Sequence, residues 1–117
     1  MADGDYAVAI ALGESLLALA PQEEQAAHRL ALGRAYLEEG RHAEGAQALS
    51  AAFEQAQDDS MRTEILGVLG NLYKTLGQWQ AAIEVYERYL ALDGEAAAYV
   101  RLHVAQAYKA LGDDARV

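Results

Sequence analysis

Cysteine is absent from this chain, which excludes disulfides and thiolate metal sites and is compatible with the cytosol. Proline occurs once, at Pro21, so almost nothing interrupts a helical backbone. Valine and isoleucine are few, while alanine, leucine, glutamate and glutamine dominate, a mixture that favours helix almost everywhere. Long apolar runs are missing as well; none, Leu16 to Ala20 included, is long enough to span a bilayer. The opening Met1-Ala2-Asp3-Gly4-Asp5 is acidic where a secretory leader needs positive charge, so a cytoplasmic location is the expectation. Positive charge is scarce too: nine Lys and Arg stand against 18 Asp and Glu, a net charge of −9. That balance speaks against nucleic acid and anionic membranes as partners. The 117 residues suffice for a single domain, which at that size buries roughly two thirds of its unfolded surface.

What is present repeats itself. A glycine follows a tyrosine by four residues at Tyr36…Gly40, Tyr73…Gly77 and Tyr108…Gly112, and Gly4 stands where the preceding copy of that turn should fall. These glycines are 36, 37 and 35 residues apart (4 to 40, 40 to 77, 77 to 112). Such a period marks one supersecondary unit stacked on itself. The pattern predicts about six helices joined by short loops, with neighbours antiparallel. The first runs over 4–21, opened by the Gly4 turn, with Pro21 stopping it and favouring the start of the next. Leu30, Leu32, Tyr36 and Leu37 line the second helix, which ends at Gly40, and Ala43, Ala46, Leu49, Ala52 and Phe53 line the third; together they make a repeat over 22–58. Asp58-Asp59-Ser60 breaks the chain, with Ser60 as a helix cap. A second pair spans 60–93, with Ile65, Leu66, Leu69, Leu72 and Tyr73 on one helix and Trp79, Ala82, Ile83, Tyr86 and Leu90 on the other. After Asp93-Gly94, a last helix from about Glu95 carries Val100, Val104, Tyr108 and Leu111 to Gly112, and 113–117 reads as the start of another.

The offsets are specific. Leu32-Gly33-x-x-Tyr36, Gly40, Gly45, Leu49 and Ala52, and again Leu69-Gly70-x-x-Tyr73, Gly77, Trp79, Ala82 and Tyr86, resemble the tetratricopeptide repeat. The first helix looks like the second half of one repeat, and 95–117 like the first half of another. The resemblance covers nearly the whole chain and implies an all-α, antiparallel helix-pair solenoid wound as a right-handed superhelix. There are departures. Arg29, Leu66 and Arg101 fill the first, tryptophan-like position, Ala105 replaces the glycine of the last copy, and Tyr89 stands where a small residue is usual. RNA-reading pentatricopeptide arrays have a similar period but need a basic stripe that this acidic chain lacks.

Residues that carry chemistry form no constellation, so the chain is read as no enzyme and as needing no cofactor or metal. His28, His42 and His103 lie on different helices without a shared carboxylate, and the Glu24 and His28 pair alone makes no metal site. They read as exposed or half-buried, with His42 at the packing position held by Tyr6 and Trp79 in the other copies. The serines lack His/Asp partners, and the Asp58-Asp59 and Asp113-Asp114 pairs read as helix-end charges.

In the family that the pattern resembles, the first helix of each pair lines a concave groove that takes a ligand segment. By register the groove presents Arg34, with Ala27, Leu30, Leu37 and Glu38; then Asn71, Lys74 and Thr75, with Glu64, Gly67 and Val68; then Tyr99, Leu102, His103, Gln106 and Lys109. Arg34, Asn71 and Gln106 are equivalent positions, a polar ladder for a peptide backbone. Lys74 and Lys109, the only lysines, are equivalent to each other. Tyr99, Leu102 and His103 read either as an aromatic anchor or as core left exposed at the end of the array. The family's carboxylate clamp is not expected, because Gly67 stands where a clamp lysine would be. The expected function is a non-catalytic protein-interaction module for a segment with acidic groups. The alternatives are an oligomerisation or assembly element, or the non-catalytic arm of a larger regulator or enzyme. Because the array starts and stops mid-repeat, Leu102, Val104 and Leu111 should leave an apolar face, suited to a longer array or to a homo-oligomer through the end helices.

Overall fold

A computed structural model describes residues 3–92 and 96–115 of the chain. All regular structure among them is helical: α1 (Asp3–Leu19), α2 (Gln22–Glu38), α3 (His42–Gln55), α4 (Asp59–Thr75), α5 (Trp79–Ala91) and α6 (Ala97–Ala115). The Asp93-Gly94 break and the expected start at Glu95 lie outside the described residues. Two compact units divide the chain, Met1–Met61 and Arg62–Val117.

The repeated tyrosine-to-glycine spacing has a backbone explanation. Gly40 and Gly77 adopt positive φ, 81° and 74°, just beyond the ends of α2 and α4. There the chain turns back on itself: Arg41 N–H donates to the Tyr36 carbonyl at 2.8 Å and Gly40 N–H to Leu37 at 3.0 Å. The second copy repeats this, with Gln78 N–H to Tyr73 at 2.8 Å and Gly77 N–H to Lys74 at 3.0 Å. The paired bonds satisfy the last helical carbonyls, and only a residue at ease in the left-handed region closes them cheaply. Tyr36 and Tyr73 supply the carbonyl at the far end of that closure.

Three local expectations are corrected. Gly4 lies within the first turn of α1, and Gly112 lies within α6, which runs on to Ala115. Neither carries the turn that the spacing suggested, because no positive φ is imposed on Gly112 and the helix continues through it. The cap of α4 is Asp58, whose Oδ1 accepts from Met61 N–H at 2.8 Å, and Ser60 lies inside the helix. A carboxylate preceding the first turn satisfies an unpaired N–H and opposes the helix dipole.

In the first unit α1 and α3 pack on α2. A core of Ile10, Leu32, Tyr36 and Ala48 joins the three, with Leu17 and Ala35 against it. Gly33 and Gly45 allow the close approach of α2 and α3: a methyl at Gly33 would meet Leu49, and one at Gly45 would meet Leu37. In the second unit the same role falls to Gly70, where a methyl would overlap the ring of Tyr86, itself 1% exposed. Tyr89, out of place for a small-residue position, is buried opposite Gly67, its ring 4.0 Å from where a Cβ there would sit. Its hydroxyl accepts from Ala96 N–H at 3.0 Å and so ties α5 to the entry of α6.

Candidate functional site

The second unit gathers five of the groove residues into one cluster. Lys74 sits in the last turn of α4, Asn71 one turn before it, and Tyr99, His103 and Gln106 follow one another along one face of α6. Lys74 Nζ lies 2.6 Å from His103 Nδ1 and donates to Gln106 Oε1 at 2.8 Å. An ammonium carries three N–H bonds, so two hold the side chain in place and the third remains for a ligand oxygen. Asn71 Oδ1 accepts from the Tyr86 hydroxyl at 2.5 Å. The Tyr86 ring stacks on His103 with centroids 5.5 Å apart and planes at 20°, and Tyr99 meets the same imidazole edge-on at 4.2 Å.

His103 is only 8% exposed, so the reading of it as an exposed or half-buried groove residue is corrected. It lies under Tyr99, which is 58% exposed, and between the Tyr86 ring and Lys74. Burial pushes the His103 pKa down, and the neighbouring Lys74 charge pushes it further in the same direction. A protonated Lys74 facing Nδ1 requires a neutral imidazole with its proton on Nε2. That Nε2 is buried without a hydrogen-bond partner among the described residues. Burial and then the field of Tyr99 push the Tyr86 hydroxyl up to about 12, so it stays protonated and donates to Asn71.

Of the residues singled out in the sequence, Asn71, Lys74, Tyr99, His103 and Gln106 are thus linked through Tyr86, which the sequence reading had assigned to packing alone. Lys109 is exposed one turn beyond Gln106 and outside these contacts, and Arg34 is exposed on α2 of the first unit. Leu30, read as facing the groove, is 7% exposed and belongs to the core, because it packs at the α2 seam and not at the surface lane. Both amides of the cluster have spent an acceptor internally, Asn71 on Tyr86 and Gln106 on Lys74. What they present outward is donor N–H₂, which suits the carbonyls of an extended segment.

The first unit contains a cleft of about 710 Å³ between α1, α2 and α3, with Leu17, Leu32 and Ala48 below and Glu14, Arg29 and Gln47 among its polar walls. Tyr36 donates from its hydroxyl to Glu14 Oε2 at 3.2 Å, and the Arg41 guanidinium lies 4.6 Å from the Tyr36 ring centre. Arg41 grips Glu44 through Nε to Oε1 at 2.7 Å, which holds the Glu44 carboxyl below its ordinary range. Burial, and then Glu14, push the Tyr36 hydroxyl up. The i, i+3 spacing of Arg41 and Glu44 was the one visible signal for this arrangement. His42, expected at a packing position, is half-buried with its Nδ1 shielded.

Among the described residues no group of three or more His, Asp or Glu side chains is placed to hold a metal ion, and no helix is long and apolar enough to cross a membrane. Family models of the tetratricopeptide repeat match residues 1–66 and 65–98. The chain belongs to the tetratricopeptide repeat family, in agreement with its helix pairs, glycine turns and close seams. No match was found among curated proteins.

Proposed function

We propose that this chain is a non-catalytic, cytoplasmic interaction module that takes an extended or helical segment of a partner protein, with acidic groups on that segment. The surface around Lys74 supplies the main contacts. The observation that carries this reading is the fixed ammonium: in a chain of net charge −9, one of only two lysines is held by His103 and Gln106 beside a ring that is 58% exposed. A pre-positioned cation gives up little side-chain freedom when it meets a carboxylate. Tyr99 adds apolar area at low entropic cost, and Asn71 and Gln106 offer N–H₂ to backbone carbonyls. Lys109, equivalent by register to Lys74, extends the recognition.

Crosslinked capture from a lysate of the source organism tests this, comparing the native chain with an Arg34→Glu, Lys74→Glu, Lys109→Glu variant whose helicity by circular dichroism is unchanged. A protein captured by the native chain and lost with the variant is the expected result. Equal capture by both overturns the assignment of the surface. The assembly reading has its own support in the large apolar side chains left exposed on α1 and α6.

A further inference from the structure

The three copies of the repeat let each helix face be compared with its own equivalents. Positions 12 and 16 of α1 correspond to 48 and 52 of α3 and to 85 and 89 of α5. In α3 and α5 these side chains are buried: Ala48 and Val85 at 9%, Ala52 at 0% and Tyr89 at 7%. In α1 they are Leu12 and Leu16, exposed at 59% and 54%. The first-helix face shows the converse. Leu30 of α2 is 7% exposed and Gly33 is buried, whereas their equivalents on α6, Leu102 and Ala105, are exposed, Leu102 at 55%. Two faces that meet inside the chain at the α2·α3 seam are therefore each present once more without a cover among the described residues.

The two faces also match the α2·α3 seam in total size. At the seam between α2 and α3 Gly33 meets Leu49, and register places the buried Leu30 and Ala52 beside them: one glycine, one alanine and two leucines. The equivalent positions on α6 and α1 are Ala105, Gly13, Leu102 and Leu16, again one glycine, one alanine and two leucines, with Gly13 itself half-buried against Leu32 of α2. The α4·α5 seam reaches a similar fill differently, with Gly70 and Gly67 set against Tyr86 and Tyr89. Within the chain small residues face large ones, whereas the α6·α1 pairing sets Leu102 against Leu16 and Ala105 against Gly13; what is kept is the total volume, which close-packed interfaces reward.

We infer that α6 of one copy of this chain docks on α1 of a second copy and rebuilds the α2·α3 seam between molecules, with Leu16 and Leu102 at its centre. The contact is heterologous, since the two partners use different faces, so association continues from copy to copy. The inference stands apart from segment binding at Lys74, and either can fail without the other.

Light scattering on size-exclusion fractions, over a rising concentration series, tests it with Leu16→Glu and Leu102→Glu. Both positions are exposed, and circular dichroism verifies that each variant is folded. The native chain should grow in mass with concentration, and each variant alone should stay at the mass of one chain. An equimolar mixture of the two variants should reach the mass of two chains and stop there, because one intact face of each kind remains. A native chain that stays monomeric throughout overturns the inference. So does association of either variant alone, which would mean like-with-like pairing, and so does a mixture that remains monomeric.

Discussion

A single atom decides much at Gly70. Its missing Cβ is the space occupied by the Tyr86 ring, and that ring is buried, stacked on His103 and bonded through its hydroxyl to Asn71. A rigid ring anchored at both its face and its tip cannot step aside for a methyl. Gly70→Ala should therefore cost about 1–3 kcal/mol in urea unfolding, and loosening of the Lys74 cluster should follow. His103 carries a different prediction. Its pKa lies below the ordinary value when folded, so the unfolded chain binds the proton more readily. The folded state is thus fully favoured above the unfolded value of about 6.5, and this advantage is lost as pH falls from there toward the folded pKa. Thermal melts across that window should show the midpoint dropping on acidification, and His103→Gln, which keeps an acceptor toward Lys74, should flatten that drop. An equal drop in both would place the proton-sensitive group elsewhere. Individual residues were the least legible part of the sequence. Nothing in the spacing told that His103 would be covered by Tyr99, or that Tyr86 would bond to Asn71, because both depend on how three helices meet in space.

Helices were legible to within a few residues wherever a local rule governs their ends. The Gly40 and Gly77 turns followed from the pattern, since positive φ is a backbone requirement that sequence records directly. Gly112 shares the same tyrosine spacing yet is helical, so the spacing alone does not create a turn. The difference is measurable. Gly77→Ala must place a side chain in the left-handed region and should destabilise by about 1–2 kcal/mol. Gly112→Ala fills open space on a helix and should stabilise by up to about 1 kcal/mol. Equal effects from the two substitutions in chemical denaturation would contradict the assigned ends. Tyr89 shows the limit of reading one element by itself: its size suggests a disturbance, yet the ring is buried and its hydroxyl ties α5 to Ala96.

At the scale of the whole molecule, the repeat period predicted the all-helical architecture and the family, because a period of 35 to 37 residues can be read without knowing any contact. Of partner chemistry the sequence offers only the expectation of a lane of cations on an acidic chain. The structure adds that Lys74 is fixed from two sides while Tyr99 stays open to solvent. Attraction between such a lane and an acidic segment should weaken with added salt, since exposed charges are screened over about 10 Å at 0.1 M ionic strength. The most direct measurement is a calorimetric titration of the captured segment, made as a peptide, into the native chain and into Lys74→Glu. Segment binding at this surface predicts a loss of affinity of about tenfold or more, the equivalent of about 1.4 kcal/mol, with the helical content of the variant unchanged. Equal affinity for the two proteins would contradict it.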